Sequence, residues 1–289
     1  MTECGMLFYC DHLQPVSALA VALWTLKRLY HGPIQIVFGP DAPNWLVGEV
    51  SNKKGVYGGI TCERLESYDF LEWTNGKRGA WCQKPFAIRR SPFELTLYFD
   101  CDHLFVGSQW PGDIWGQIDR LGLASGHDKL FARRCPRVIR DVRAVTGIAL
   151  DAYRPVNGGC IGYRRGHEGW QTWIAFMTQF ARQWRSRLLR DLAEEHGLGL
   201  TLNTGIGGWI DGAISRTEYP HAHALGYHLN GGRYLYCPRW QQEFRNCFDA
   251  DFLGIRTNAA AFLQSNAQLK SIISRSGESQ IPDESLHLS

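Results

Sequence analysis

Apolar positions in this chain fall into two rhythms. Gly5–Cys10, Pro33–Phe38 and Leu95–Phe99 are short, nearly unbroken apolar runs rich in β-branched and aromatic residues. Such runs predict strands buried on both faces. Between them the spacing becomes helical: Val16, Leu19, Ala20, Leu23 and Leu26 recur on one face within Pro15–Tyr30, and His31-Gly-Pro33 ends the pattern. Pro43–Val50 reads as a short helix, Gly55–Leu65 as a third strand or loop, and Trp81–Arg90 as a helix stopped by Ser91-Pro92. This alternation predicts an α/β fold whose mixed, mostly parallel sheet is flanked by helices.

Beyond Gly107 the pattern loosens. The arginine-rich stretch Asp128–Val145 predicts strands or loops beside a cleft, and Pro155–Tyr163 a strand entered by a glycine turn. Glu168–His196 reads as one long helix ended by Gly197, and Trp209–Ser215 as a short helix. A single domain is expected over 1–255, then a C-terminal helix at 256–275 and a mobile polar tail at 276–289.

Composition acts mainly by exclusion. The 289 residues are 44% hydrophobic, enough for a sizeable core, and eleven Trp with fourteen Phe argue against disorder. A net charge of +3 is too small for a nucleic-acid footprint. Nine cysteines without a C-x-x-C pair favour a reducing compartment over a disulfide framework. No apolar run reaches transmembrane length, and Met1-Thr-Glu-Cys-Gly does not read as a secretory signal, so a cytoplasmic protein is expected.

The sharpest chemical feature is Leu97-Tyr-Phe-Asp-Cys-Asp102. In an extended chain residues i and i+2 point the same way, so Asp100 and Asp102 converge just past a buried strand, where open α/β sheets place ligands. Like charges held together call for a cation, and a hard divalent ion with phosphate oxygens fits. A solvated turn with a helix-capping aspartate is the alternative.

Four ordered pieces resemble the GT-A glycosyltransferases, and more narrowly the glycogenin-like and lipopolysaccharide galactosyl- or glucosyltransferases. They are Ser17–Phe38, the approach Lys84-Pro-Phe-Ala-Ile to the D-x-D at Asp100 and Asp102, Asn157-Gly-Gly-Cys-Ile-Gly-Tyr163, and His228-Leu-Asn-Gly231. The resemblance implies a nucleotide-binding half at 1–107 and an acceptor half at 108–255. It implies a nucleoside-diphosphate sugar donor, most readily UDP-linked, and a metal held by Asp100, Asp102 and His228. Asp100 would reach metal or ribose. Nitrogen ligation suits Mn²⁺ better than Mg²⁺, although Mg²⁺ also serves such sets. Tyr9 and Asp11 become nucleobase candidates, Lys84 a phosphate or aspartate partner, and Gly231 the point where backbone closes over diphosphate. The family's lysine beyond this motif is missing: Tyr234 stands there, with Arg233 as the neighbouring cation. Asn157 offers a donor and an acceptor to sugar hydroxyls. Asp211 is either a base for the acceptor or a donor-sugar contact, with a helix N-cap as the bland account.

Other readings compete. A protein of this shape could bind nucleotide or glycan without turnover. A sugar-1-phosphate nucleotidyltransferase needs a glycine-rich basic loop after the first strand, where this chain has Cys10-Asp-His-Leu-Gln14. A zinc site using His221, His223, His228 and Cys237 matches no common spacing. The acceptor, whether glycan, lipid, protein or small molecule, leaves no legible mark.

Overall fold

The computed structural model describes residues 3–12, 15–52, 57–70, 77–107, 113–128, 135–183, 186–210, 221–223, 226–229, 233–263 and 266–274. Strands β1 (Cys4–Cys10), β2 (Ile34–Phe38), β3 (Ile60–Arg64) and β4 (Leu95–Phe99) pair in parallel in the order β3-β2-β1-β4. The sheet continues through β7 (Val156–Arg164), β6 (Leu123–His127) and β8 (Gly208–Trp209). Strand β7 runs antiparallel to both β4 and β6. Alternation along β1 sends Met6, Phe8 and Cys10 into one apolar layer, and Leu7 and Tyr9 into the other. Both faces are therefore covered, as the unbroken apolar runs require.

Helices α1 (Val16–Leu26), α2 (Asn44–Asn52), α4 (Ile114–Leu121) and α9 (Pro238–Asp249) cover the Phe8 face. Helix α1 is buried nearly all round because α9 packs on its outer side. Helices α3 (Lys77–Arg89), α5 (Cys135–Thr146), α6 (Gly169–Ala181), α7 (Arg187–Asp191) and α8 (Ala193–Asn203) cover the Leu7 face. Helices α10 (Ala259–Leu263) and α11 (Ala267–Ser274) stand where one C-terminal helix was expected, and α11 sends Leu269 and Ile272 into the Phe8-side core. Among the described residues no helix is long and apolar enough to cross a membrane.

Two expectations from the second half fail for identifiable reasons, and a third is overturned only at its first residue. The described residues from Cys135 onward in Asp128–Val145 form helix α5, whose Val138 and Val142 are buried four residues apart while Arg137, Arg140 and Arg143 face solvent. The long helix over Glu168–His196 is three helices. Ser186 caps α7 by accepting from the Leu189 amide at 3.3 Å, and Leu192 leaves helical geometry at φ −127°, ψ 38°. Gly197 does not end α8; a Cβ there would lie 2.7 Å from the Met177 backbone nitrogen, so the glycine permits close crossing of α6 and α8. Finally, Gly208–Trp209 pairs with β6 as a strand in place of a helix start, and Asp211–Ser215 lies outside the described residues.

The crossing makes a prediction that opposes helix propensity. Alanine outranks glycine in a helix by about 1 kcal/mol, whereas forcing a methyl into a filled contact costs about 1–3 kcal/mol. Gly197→Ala is expected to lower the thermal melting temperature; a rise would show that α6 and α8 do not meet this closely.

Candidate functional site

Because β1 and β4 are parallel, their carboxyl ends fall on the same edge, and the residues that follow them share it. Asp100 follows Phe99 there, but the chain does not continue as a strand. It turns at Cys101 and Asp102 and enters β5 (His103–Phe105), which belongs to a second sheet of order β5-β10-β9. In that sheet β10 (Gly226–His228) lies between β5 and β9 (His221–His223), and His228 faces His103 in the ladder. The two aspartates thus converge through a turn rather than through strand alternation. That turn also brings in the third residue: His228 Nε2 lies 2.8 Å from Asp102 Oδ1 and 3.8 Å from Asp100 Oδ2. One ligand atom from each of Asp100, Asp102 and His228 falls within 4.8 Å of the others. Two carboxylates and an imidazole so gathered fit a divalent ion of intermediate softness.

Below this triad, β7 is irregular. The β6 register passes from Ile161 to Asn157, leaving Gly158, Gly159 and Cys160 as a bulge. Ser125 Oγ spans it, 2.9 and 2.8 Å from the Asn157 and Cys160 carbonyls. Asn157 is buried, and its Oδ1 accepts from the Gly159 amide at 2.9 Å, a turn-like local bond inside the strand. The Gly159 carbonyl accepts from the Asp100 amide at 2.9 Å and lies 2.9 Å from His103 Nε2. A Cβ on Gly159 would stand 2.3 Å from His228 Cε1, so only glycine leaves the imidazole its place.

Lys84, on α3, is buried. Its ammonium donates to the Gly158 carbonyl at 2.9 Å and lies 3.1 Å from Asp100 Oδ1. Glu194 Oε1 is 3.3 Å away, at ion-pair distance but without hydrogen-bond alignment. Burial disfavours the Lys84 charge, yet Asp100, Glu194 and Glu195 outweigh it and hold the ammonium above its usual range. Burial dominates at Glu194 and raises its carboxyl to about 8 against the pull of Lys84, with Glu195 and Asp100 adding to the rise. Tyr98 donates to Asp100 Oδ1 at 2.6 Å; burial, then the adjoining carboxylate, keeps its phenol protonated.

The remaining candidates are spread around this centre. Tyr9 and Asp11 are buried at the end of β1, where the Tyr9 carbonyl accepts from the Cys101 thiol and Asp11 contacts His12. Tyr68 joins this corner, donating to Asp41 at 2.7 Å with Asp11 at 3.5 Å. Arg233 is exposed on a 3-10 turn, while the neighbouring Tyr234 is buried against Trp240, with ring centroids 4.8 Å apart. Asp211 and Gly231 lie outside the described residues. Glu194, Tyr98 and His103 were not singled out in the sequence. The available signal was Glu194-Glu195-His196, a run of titratable groups at the end of the helical pattern over Glu168–His196.

No family model matches this chain, and no curated protein does. Solved structures do match. The galactosyltransferase LgtC, in complex with donor and acceptor sugar analogues, superposes with a TM-score of 0.55 over 84% of this chain and 95% of its own, at 11% identity. The bifunctional glycosyltransferase WbbM in its apo form gives 0.51 over 85% of this chain and 44% of its own, at 9% identity. At such identities the likeness establishes the fold: this chain has the mixed-sheet GT-A fold.

The Glu194 environment sets a pH signature. A carboxyl raised from its ordinary range to about 8 stays neutral in the folded protein, while the unfolded chain ionises it from about pH 4.5. Its contribution to stability is complete below that range and is lost as pH rises towards 8. Glu194→Gln should therefore flatten the fall in melting temperature between pH 5 and 8. An unchanged slope would mean that Glu194 is ionised in the folded protein.

Proposed function

We propose that this protein is a metal-dependent glycosyltransferase that moves a sugar from a nucleoside diphosphate, UDP in the first instance, to an acceptor. The observation that carries this reading is the meeting of Asp100, Asp102 and His228 at the carboxyl edge of a GT-A sheet. In the same reading residues 1–107 hold the nucleotide and 108–255 the acceptor. The location remains the cytoplasm expected from the cysteine content, and the acceptor can belong to any of several chemical classes.

Glycosyl transfer from a diphosphate develops cationic character on the sugar and negative charge on the departing phosphate. Asp100, Asp102 and His228 would hold Mn²⁺, or Mg²⁺, which as a Lewis acid stabilises the negative diphosphate leaving group. Lys84 pairs with Asp100 and is itself anchored to the Gly158 carbonyl, so this ligand is held in place before the donor arrives. Tyr98 occupies the other lone pairs of Asp100 Oδ1 and limits its rotation. The Tyr9–Asp11–Tyr68 corner lies at the neighbouring strand end, the place for a base and ribose. Gly158 and Gly159 give the space above their backbone to Glu194 and His228, and Asn157 beside them is the amide assigned to the donor sugar. Asp211, Gly231 and Arg233 keep their proposed roles at acceptor and phosphates.

Calorimetric titration with UDP, with Mn²⁺ or with EDTA, tests this. Wild type is expected to bind UDP only with the metal, and Asp102→Asn to lose at least tenfold in affinity while keeping its melting temperature in EDTA. Equal UDP binding in Mn²⁺ and EDTA would remove the metal from the mechanism. Failure to bind UDP or GDP under either condition would remove the donor assignment.

A further inference from the structure

We infer that His103 is the positioning residue of the metal centre, holding His228 in its ligating orientation. This rests on the metal reading above and assigns to the residue after the D-x-D turn a role that neither the motif nor the fold supplies.

His103 is fully buried, and its ring lies parallel to that of His228, with centroids 4.4 Å apart and an interplanar angle of 7°. The two residues are cross-strand partners in the β5–β10 ladder. Close pairing brings their rings face to face, as it does for aromatic cross-strand pairs. Phe105 also lies nearly parallel to His103 at 5.8 Å and 23°, and the Phe99 ring meets it edge-on at 5.0 Å. An apolar wall alone would let this ring turn in its plane. The hydrogen bond to the Gly159 carbonyl at 2.9 Å stops it, and a carbonyl acceptor requires the hydrogen on His103 Nε2.

His228 comes from a three-residue strand, and contacts from other elements bound its ring. Gly159 limits the ring from below, because its Cα approaches the imidazole too closely for any side chain. His103 limits it from one face. Between them, Nε2 is left facing Asp102 and Asp100. The same Gly159 carbonyl also receives the Asp100 amide, so one backbone oxygen ties the first ligand's backbone to the ring that holds the third ligand. Phenylalanine could keep the stack but not the bond to that carbonyl. Valine could keep neither.

Groups that orient a ligating histidine are worth about 10–100-fold in metal affinity. The test is Mn²⁺ binding, alone and with UDP, followed by the loss of the free-ion electron paramagnetic resonance signal. Wild type, His103→Phe, His103→Val and Asp102→Asn are compared, with melting temperatures in EDTA measured alongside. His103→Val is expected to weaken Mn²⁺ binding roughly tenfold or more, and His103→Phe to fall between it and wild type. The melting temperatures of folded variants should not account for that order. If His103→Val does not fold, His103→Phe decides alone by binding Mn²⁺ less tightly than wild type. Wild-type affinity in every folded His103 variant would overturn the inference and leave the metal site standing. Wild type failing to bind Mn²⁺ in either condition, or Asp102→Asn binding it equally well, would overturn the metal reading and this inference with it.

Discussion

The candidate centre depends on how closely the backbone at Gly158 and Gly159 passes beneath it. Two carbonyls in this bulge make three contacts that order the groups above: Gly158 with the Lys84 ammonium, Gly159 with the Asp100 amide and the His103 ring. Any side chain here would be costly. At Gly158 a Cβ would stand 2.8 Å from Glu194 Oε1, and at Gly159 it would occupy the position of His228. The requirement for glycine is thus one of space rather than of backbone dihedrals, since neither residue has a positive φ. A bulge in a central strand gives up part of one ladder, and here the freed carbonyls are put to use by three side chains or amides that no regular pairing could serve.

Electrostatics imposes the second constraint. Asp100 and Asp102 offer charged oxygens to a space less than 4.8 Å across, and Glu194 lies behind Lys84. Like unit charges at that spacing repel by roughly 3 kcal/mol or more at an effective dielectric near 20. Lys84 can offset one of them. Glu194 lowers the charge further by holding its proton, so its burial is of use rather than a fault. A repulsion then remains between Asp100 and Asp102 that a divalent ion, and not a second lysine, is suited to relieve.

The sequence showed β1, β2 and β4 because each is buried along nearly its whole length, and continuous apolar runs have few other interpretations; β3, half exposed, read as strand or loop. It showed Asp100 and Asp102 for the same reason: polar residues that end such a run stand out. The explanation by strand alternation was mistaken, because whether a chain turns or continues after Phe99 is settled by β5 pairing with a segment more than a hundred residues later. The second half was harder to read because its decisive breaks carry no glycine or proline. Ser186 and Leu192 divide the long helical pattern, while Gly197, which resembles a stop, lies inside α8 at a helix crossing. Glu194 and His103 could not be found locally at all. One looks like a solvated helix tail and the other like an aromatic core position until the chain is folded around Gly159.

This assembly explains why a two-sheet arrangement suits the chemistry better than a single strand edge would. Asp100 is fixed by the large sheet through β4 and β7, whereas His228 is fixed by the small sheet through β5 and β10. Asp102 lies in the turn joining them, and its carbonyl accepts from the Leu229 amide at 2.9 Å, which binds the two sheets together just behind the triad. Ligands drawn from one strand would share its alternation and could approach an ion from only one side. Ligands drawn from a turn and a crossing strand approach from different directions, which leaves part of the ion's coordination for oxygens that the protein does not supply. Under the proposed function, those oxygens would be a diphosphate's.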